Sequence, residues 1–191
     1  MQKHVRRLVG IIENTIPLPG PIYEFGALQV NNEPSEEDLR TLFDRSDYIG
    51  CDFREGPGVD KLLDLHAIDL PDEAAGTVIS IDTLEHVEYP RRAIDEIYRI
   101  LRNDGIAIIS SVMNFPIHSY PNDYWRFTPE GFRSLLQVFD QSFVGSCGKD
   151  VDFPQTVIGI GFKGAIPDLS EFNEAYRRWE IRTNAIFNAL G

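Results

Sequence analysis

Apolar positions in this chain follow a helical rhythm in some stretches and run continuously in others. In residues 1–15, Val5, Leu8, Val9 and Ile12 fall at i, i+3, i+4 and i+7, which is one face of a helix. Pro17, Pro19, Gly20 and Pro21 break that rhythm, and the run at 22–25 reads as a short buried strand entering a turn at Gly26. Ser35, Glu36, Glu37 and Asp38 have the composition of a capping box, with Leu39, Leu42 and Phe43 as the buried face of a short helix. Strands are predicted at 48–52, 59–63 and 76–82, the last rich in Val and Ile. Pro90 opens a helix whose Ile94, Ile97, Tyr98 and Leu101 share a face and which Asn103, Asp104 and Gly105 end. A fifth strand follows at 106–112.

Thr128 and Pro129 start another helix, with Phe132, Leu135, Leu136 and Phe139 on its face, and two extended runs near 142–147 and 156–162 form a hairpin. Phe172, Tyr176, Trp179, Thr183, Ile186 and Leu190 line a last amphipathic helix at 169–190, suited to packing on the body or on a second copy in a homodimer. Strands alternating with helices, then a hairpin, predict an α/β fold. It is a doubly wound, Rossmann-like, mostly parallel seven-stranded sheet with an antiparallel C-terminal edge strand. The 191 residues suffice for one such domain with terminal helices at 1–15 and 169–190.

Composition removes several classes of function. A formal net charge of −12, with basic residues thinly spread, excludes a nucleic-acid grip. Cys51 and Cys147 are far apart and show no ligand spacing, so reduced structural thiols are expected rather than a disulfide or zinc framework. No apolar run is long enough for a signal peptide or a membrane span, and a cytoplasmic protein is expected.

In open α/β sheets ligands bind beyond the carboxyl ends of the strands, where strand order reverses. Glu24, Phe25 and Gly26 end the first strand, and Asp52 ends the second about 26 positions after Gly26, close to the spacing at which a carboxylate meets a ribose diol. The run 76–90, GTVISIDTLEHVEYP, followed by AIDEIYRILR at 93–102 and by Asp104-Gly105, resembles the class I S-adenosylmethionine-dependent methyltransferases, closest to the type 11 group. That resemblance implies S-adenosyl-L-methionine as cofactor, held by a half-domain at residues 23–111. It makes Glu24 and Gly26 the first cofactor loop, Asp52 the ribose acid, Asp64 and Leu65 the adenine contact, and places Asp82 at the methionine end. The first loop departs from the family's Glu-x-Gly-x-Gly-x-Gly, because Leu28 and Val30 stand where glycines are expected. Side chains there resist left-handed backbone, so the loop must take another path.

The stretch 114–129, NFPIHSYPNDYWRFTP, is dense in aromatics and proline and reads as the wall or lid of an acceptor pocket. Tyr120, Tyr124, Trp125 and Arg126 are its candidate substrate contacts, with aromatic faces for a sugar ring and Arg for an anion. His118 and His86 are candidate bases, with Asp123 as an orienting partner. These residues are scattered along the chain, and no metal site is expected. Family members with a similar segment resemble those acting on glycans or secondary metabolites, so the expectation is methyl transfer to oxygen or nitrogen of a small or glycan-like acceptor. The alternative is a catalytically impaired binding or assembly protein, motivated by Leu28 and Val30. A nicotinamide enzyme is a weaker third option, since its glycine fingerprint is met no better.

Overall fold

The computed structural model describes residues 2–30, 38–118 and 121–190; Ser35, Glu36, Glu37 and Tyr120 lie outside them. Helix α1 (Lys3–Thr15) buries Val5, Leu8, Val9 and Ile12, as the periodicity requires. Seven strands follow: β1 (Ile22–Phe25), β2 (Tyr48–Asp52), β3 (Lys61–Leu62), β4 (Ala75–Ser80), β5 (Leu101–Val112), β6 (Gln141–Cys147) and β7 (Thr156–Phe162). They form one sheet in the order β3-β2-β1-β4-β5-β7-β6. The first five are parallel, whereas β7 runs antiparallel between β5 and β6. The antiparallel strand therefore lies one place in from the edge, and every residue of β7 is buried.

Helices cover both faces. One face carries α2 (Pro90–Ile100) and α3 (Pro129–Leu135). On the other, α1, the short 3-10 turn Leu39–Leu42 and α4 (Ser170–Leu190) pack against Ile22, Ile79 and Ile108. Thr128 caps α3 by accepting from the Gly131 N–H, and Asp38 accepts from the Arg40 N–H at the start of the 3-10 turn.

The helices do not alternate with every strand. Residues 53–74 carry Gly56, Pro57, Gly58 and Pro71, leaving no helical rhythm, and Leu63, Leu65 and Ile68 of this stretch enter the core directly. Glu96 and Arg99 of α2 hold the stretch down: Glu96 accepts from the Ile68 N–H, and Arg99 donates to the Ile68 and Leu70 carbonyls. The strand expected at 59–63 shrinks to two exposed residues, because the Asp60 carboxylate takes the Gly50 N–H at the end of the ladder. Helix α2 ends at Ile100, and Leu101 already pairs with Ala75, so the turn residues 103–105 fall inside β5 at a shift of register.

Burial pushes both free thiols, Cys51 and Cys147, up to about 12, in keeping with a structural role. Among the described residues, no helix is long and apolar enough to cross a membrane.

Helix α4 packs on its own subunit. Phe172, Tyr176 and Trp179 are buried, and the Trp179 indole donates to the His4 carbonyl at 3.0 Å, tying the two terminal helices together. Replacing the fully buried Phe172 by alanine is expected to cost about 3–5 kcal/mol, read as a lower urea midpoint at an unchanged slope.

Candidate active site

The strand order reverses between β1 and β4, and beyond their carboxyl ends lies a cavity of about 630 Å³. Gly26 opens it with φ +89°, and a Cβ there would stand 2.2 Å from the Thr83 hydroxyl, so only glycine lets the β1 loop pass the β4 loop. The next residues avoid left-handed backbone altogether. They run along the turn after β2, with the Gln29 N–H donating to the Pro57 carbonyl at 3.0 Å. Gly58, at φ +88°, makes that contact feasible, since a Cβ on it would sit 2.4 Å from the Ala27 carbonyl. Leu28 and Val30 thus occupy an extended segment that needs no glycine.

Glu24 ends up sealed beside this loop. Its carboxyl accepts from the Tyr48 hydroxyl at 2.9 Å, and burial pushes it up to about 7, against the lowering effect of that bond. Asp52 is nearly buried at the end of β2, where its Oδ1 accepts from the Arg54 N–H at 2.9 Å. Asp64 is exposed and receives both the backbone N–H and the ring of His66, while Leu65 beside it is buried against the core. His66 in turn accepts from the Tyr89 N–H at 3.3 Å, a wall contact not anticipated from the sequence.

Asp82 has φ +48°, an unusual backbone for a side-chain-bearing residue and one that Asp tolerates better than most. It is held there by Ser110, whose hydroxyl donates to Oδ1 at 2.9 Å, and the Gln2 N–H reaches Oδ2 at 3.3 Å. The start of α1 therefore closes over the end of β4, so Gln2 also lines the cavity.

Another part of the cavity wall is built around Glu85, which sequence reasoning passed over. Its side chain is fully buried, and its Oε2 accepts from the Ser111 hydroxyl at 2.6 Å. Oε1 has no hydrogen-bond partner among the described residues. Burial first, and the Asp82 charge second, hold this carboxyl well above the usual carboxylate range. The Glu85 carbonyl also accepts from the Tyr124 and Trp125 N–H groups, which ties these residues to the turn after β4. His118 Nε2 lies 4.0 Å from Glu85 Oε1, and the His86 and His118 rings meet edge to face at 4.7 Å. Burial lowers the His86 pKa. The sequence motif around 82–86 was visible, but nothing in it distinguished Glu85 from a solvated acid.

Two candidate substrate contacts change role. Trp125 and Arg126 lie along a separate, shallower pocket rather than this cavity, whereas Tyr124 lines both. Arg126 donates to both oxygens of Asp123 and to the carbonyls of Phe115, Pro116 and Trp125, so its fork is engaged within its own loop instead of reaching for an anion. The Trp125 indole likewise donates to the Val87 carbonyl at 3.0 Å. Asp123, held far below the usual carboxylate range by Arg126, accepts from the His118 N–H at 2.7 Å and faces His118 Nδ1 at 3.2 Å.

A methyltransferase-domain family model matches residues 35–109. That stretch is similar to a methyltransferase domain, and the chain as a whole has the fold of the S-adenosylmethionine-dependent methyltransferases. Solved structures share its fold. A methyltransferase from Thermotoga maritima is 18% identical with a TM-score of 0.63, covering 84% of this chain and 89% of that one. The 1,6-didemethyltoxoflavin N1-methyltransferase of Burkholderia thailandensis, with its substrate and S-adenosylhomocysteine bound, is 14% identical with a TM-score of 0.59, covering 85% and 79%. The cyclase SpnF is 14% identical with a TM-score of 0.62, covering 84% and 82%. No curated protein matches the chain. The family match begins after the altered β1 loop and stops within β5.

Glu24 makes stability pH-dependent. A carboxyl raised by folding contributes its stability fully below its unfolded pKa near 4.5 and loses it as pH rises through about 7. Thermal melts from pH 5 to pH 8 are expected to show wild type losing more stability than Glu24→Gln, by on the order of 3 kcal/mol at most. Parallel curves for the two proteins would contradict this assignment.

Proposed function

We propose that this protein is an active methyltransferase that transfers the methyl group of S-adenosylmethionine to an oxygen or nitrogen of a small or glycan-like acceptor. The observation that carries this reading is one cavity lined by two chemically different sets of residues. Gly26, Asp52 and Leu65 line it together with Glu85, His118 and Tyr124. Its volume of about 630 Å³ falls within the usual range of ligand pockets, ~300–1,000 Å³.

The residues of the first set fit the cofactor. Gly26 leaves room where a Cβ would not fit, Asp52 offers a carboxylate suited to a ribose diol, and Asp64 with Leu65 offers a polar edge beside an apolar wall. Asp82, fixed by Ser110, supplies negative charge near the methionine end. When bound, S-adenosylmethionine supplies an electrophilic methyl group on a sulfonium. The chain's own residues orient the acceptor and take up its proton. Tyr124 offers an aromatic face, and His118, oriented by Asp123, accepts the proton in the simplest form of this reading. Trp125 and Arg126 act by holding the segment in place.

A second reading, a methyltransferase-like binding protein without turnover, takes its motive from Leu28 and Val30. A fold shared with a cyclase is a reminder that this architecture alone does not fix the reaction.

Calorimetric titration with S-adenosylhomocysteine separates the two. Binding is expected in wild type and weakened by about 1–3 kcal/mol in Asp52→Ala, through loss of a charged hydrogen-bond acceptor. His118→Ala is expected to bind the product normally and lower the rate of methyl transfer by about 10²-fold or more. No heat and no thermal shift at millimolar ligand would overturn the enzyme reading.

A further inference from the structure

We propose that Glu85, His86 and His118 form a binding site for a first-row divalent transition-metal cation in the wall of the cavity. One donor atom from each residue lies within 4.8 Å of the other two. Two imidazoles and one carboxylate suit zinc, iron, cobalt or nickel, and three protein ligands leave a position for an exogenous oxygen, the pattern of catalytic rather than structural sites.

The second observation is the state of Glu85. Its Oε2 is taken by Ser111, while Oε1 is buried with no hydrogen-bond partner among the described residues and is directed toward His118 Nε2 at 4.0 Å. An unsatisfied buried carboxylate oxygen is costly, and a cation would satisfy it. Asp82 is close enough to add to the negative potential there.

The third observation lies behind the ligands. His86 Nδ1 faces the Asn122 carbonyl, and His118 Nδ1 faces the Pro116 carbonyl and Asp123 Oδ2, each at 3.2 Å. These partners only accept, so in a neutral ring the proton belongs on Nδ1, the arrangement that suits ligation through Nε2. Arg126 fixes Asp123, which makes a supporting chain from Arg126 through Asp123 to His118. Bonds of ~2.0–2.1 Å to a tetrahedral ion place donors about 3.3 Å apart. The donors, within 4.8 Å of one another here, would have to draw together by up to about 1.5 Å to reach that value.

With a cation bound, His118 Nε2 is a ligand and no longer the base; a hydroxyl in the open position would instead give up its proton to water more readily and be held in place, so the site selects acceptors that present an oxygen, such as a sugar or phenol hydroxyl. This role rests on the methyl-transfer reading; cation binding itself does not.

The test titrates the full chain, stripped with a chelator and dialysed, with Co²⁺ in the absence of S-adenosylmethionine, followed by calorimetry and visible absorption. One equivalent is expected to bind and to give ligand-field bands that Zn²⁺ displaces. His118→Ala and His86→Ala should each weaken binding at least tenfold, Asp123→Asn by about 10-fold or more through lost support, and His66→Ala not at all. Melting curves establish that each variant folds, and the histidine variants decide the matter if Glu85→Gln does not. Absence of heat and absorbance at millimolar Co²⁺ would overturn the proposal, as would equal binding by wild type and both histidine variants, or an equal loss in His66→Ala. Cation binding without turnover would sink the methyl-transfer reading and leave the site standing; turnover without cation binding would do the reverse.

Discussion

The architecture around the cavity depends on burying one carboxyl, that of Glu85, in the cavity wall. Through its side chain Glu85 grips Ser111 at the end of β5, and through its carbonyl it holds Tyr124 and Trp125. Three segments distant in sequence therefore meet on one residue, and the wall of the cavity cannot leave without exposing an unpaired buried acceptor. Much of what surrounds it serves to keep that arrangement rigid. Arg126 draws its loop together with five N–H donors, and the Trp125 indole anchors the same loop to the chain just before α2.

The parts of the fold legible in the sequence were those where local pattern and tertiary burial agree. β1 and β2 are short apolar runs between breakers, α1 has an uninterrupted helical stripe, and Pro90 and Thr128 mark helix starts through backbone chemistry alone. The discrepancies arise where side chains take over backbone tasks. Asp60 delays the start of β3, and Glu96 with Arg99 ties down a loop where a helix would stand between β3 and β4. That β7 sits inside the sheet instead of at its edge is a property of pairing partners, which spacing along the chain does not encode.

The site was legible by the same rule. Asp52 and Asp82 stand at strand ends, where topology makes a carboxylate meaningful, and both line the cavity. Glu85 was hidden because its distinguishing property is burial against Ser111, a residue 26 positions away. Arg126 drew attention as an anion binder because composition reports a guanidinium but not the acceptors that already surround it. His86 and His118 were both expected as candidate bases, but only the folded chain brings their rings within contact of each other.

The extended path of residues 27–29 along the turn after β2 has a further consequence. A Cβ at Gly56 would stand 2.3 Å from the tip of the Leu28 side chain, so a residue larger than glycine there would have to turn that tip aside, and the two loops are packed against each other. The freedom that a glycine-rich fingerprint gathers in one string is here divided between two strands' exits. Searching such proteins for the string alone will miss them, and a substitution at position 28 or 56 has to be judged as a pair.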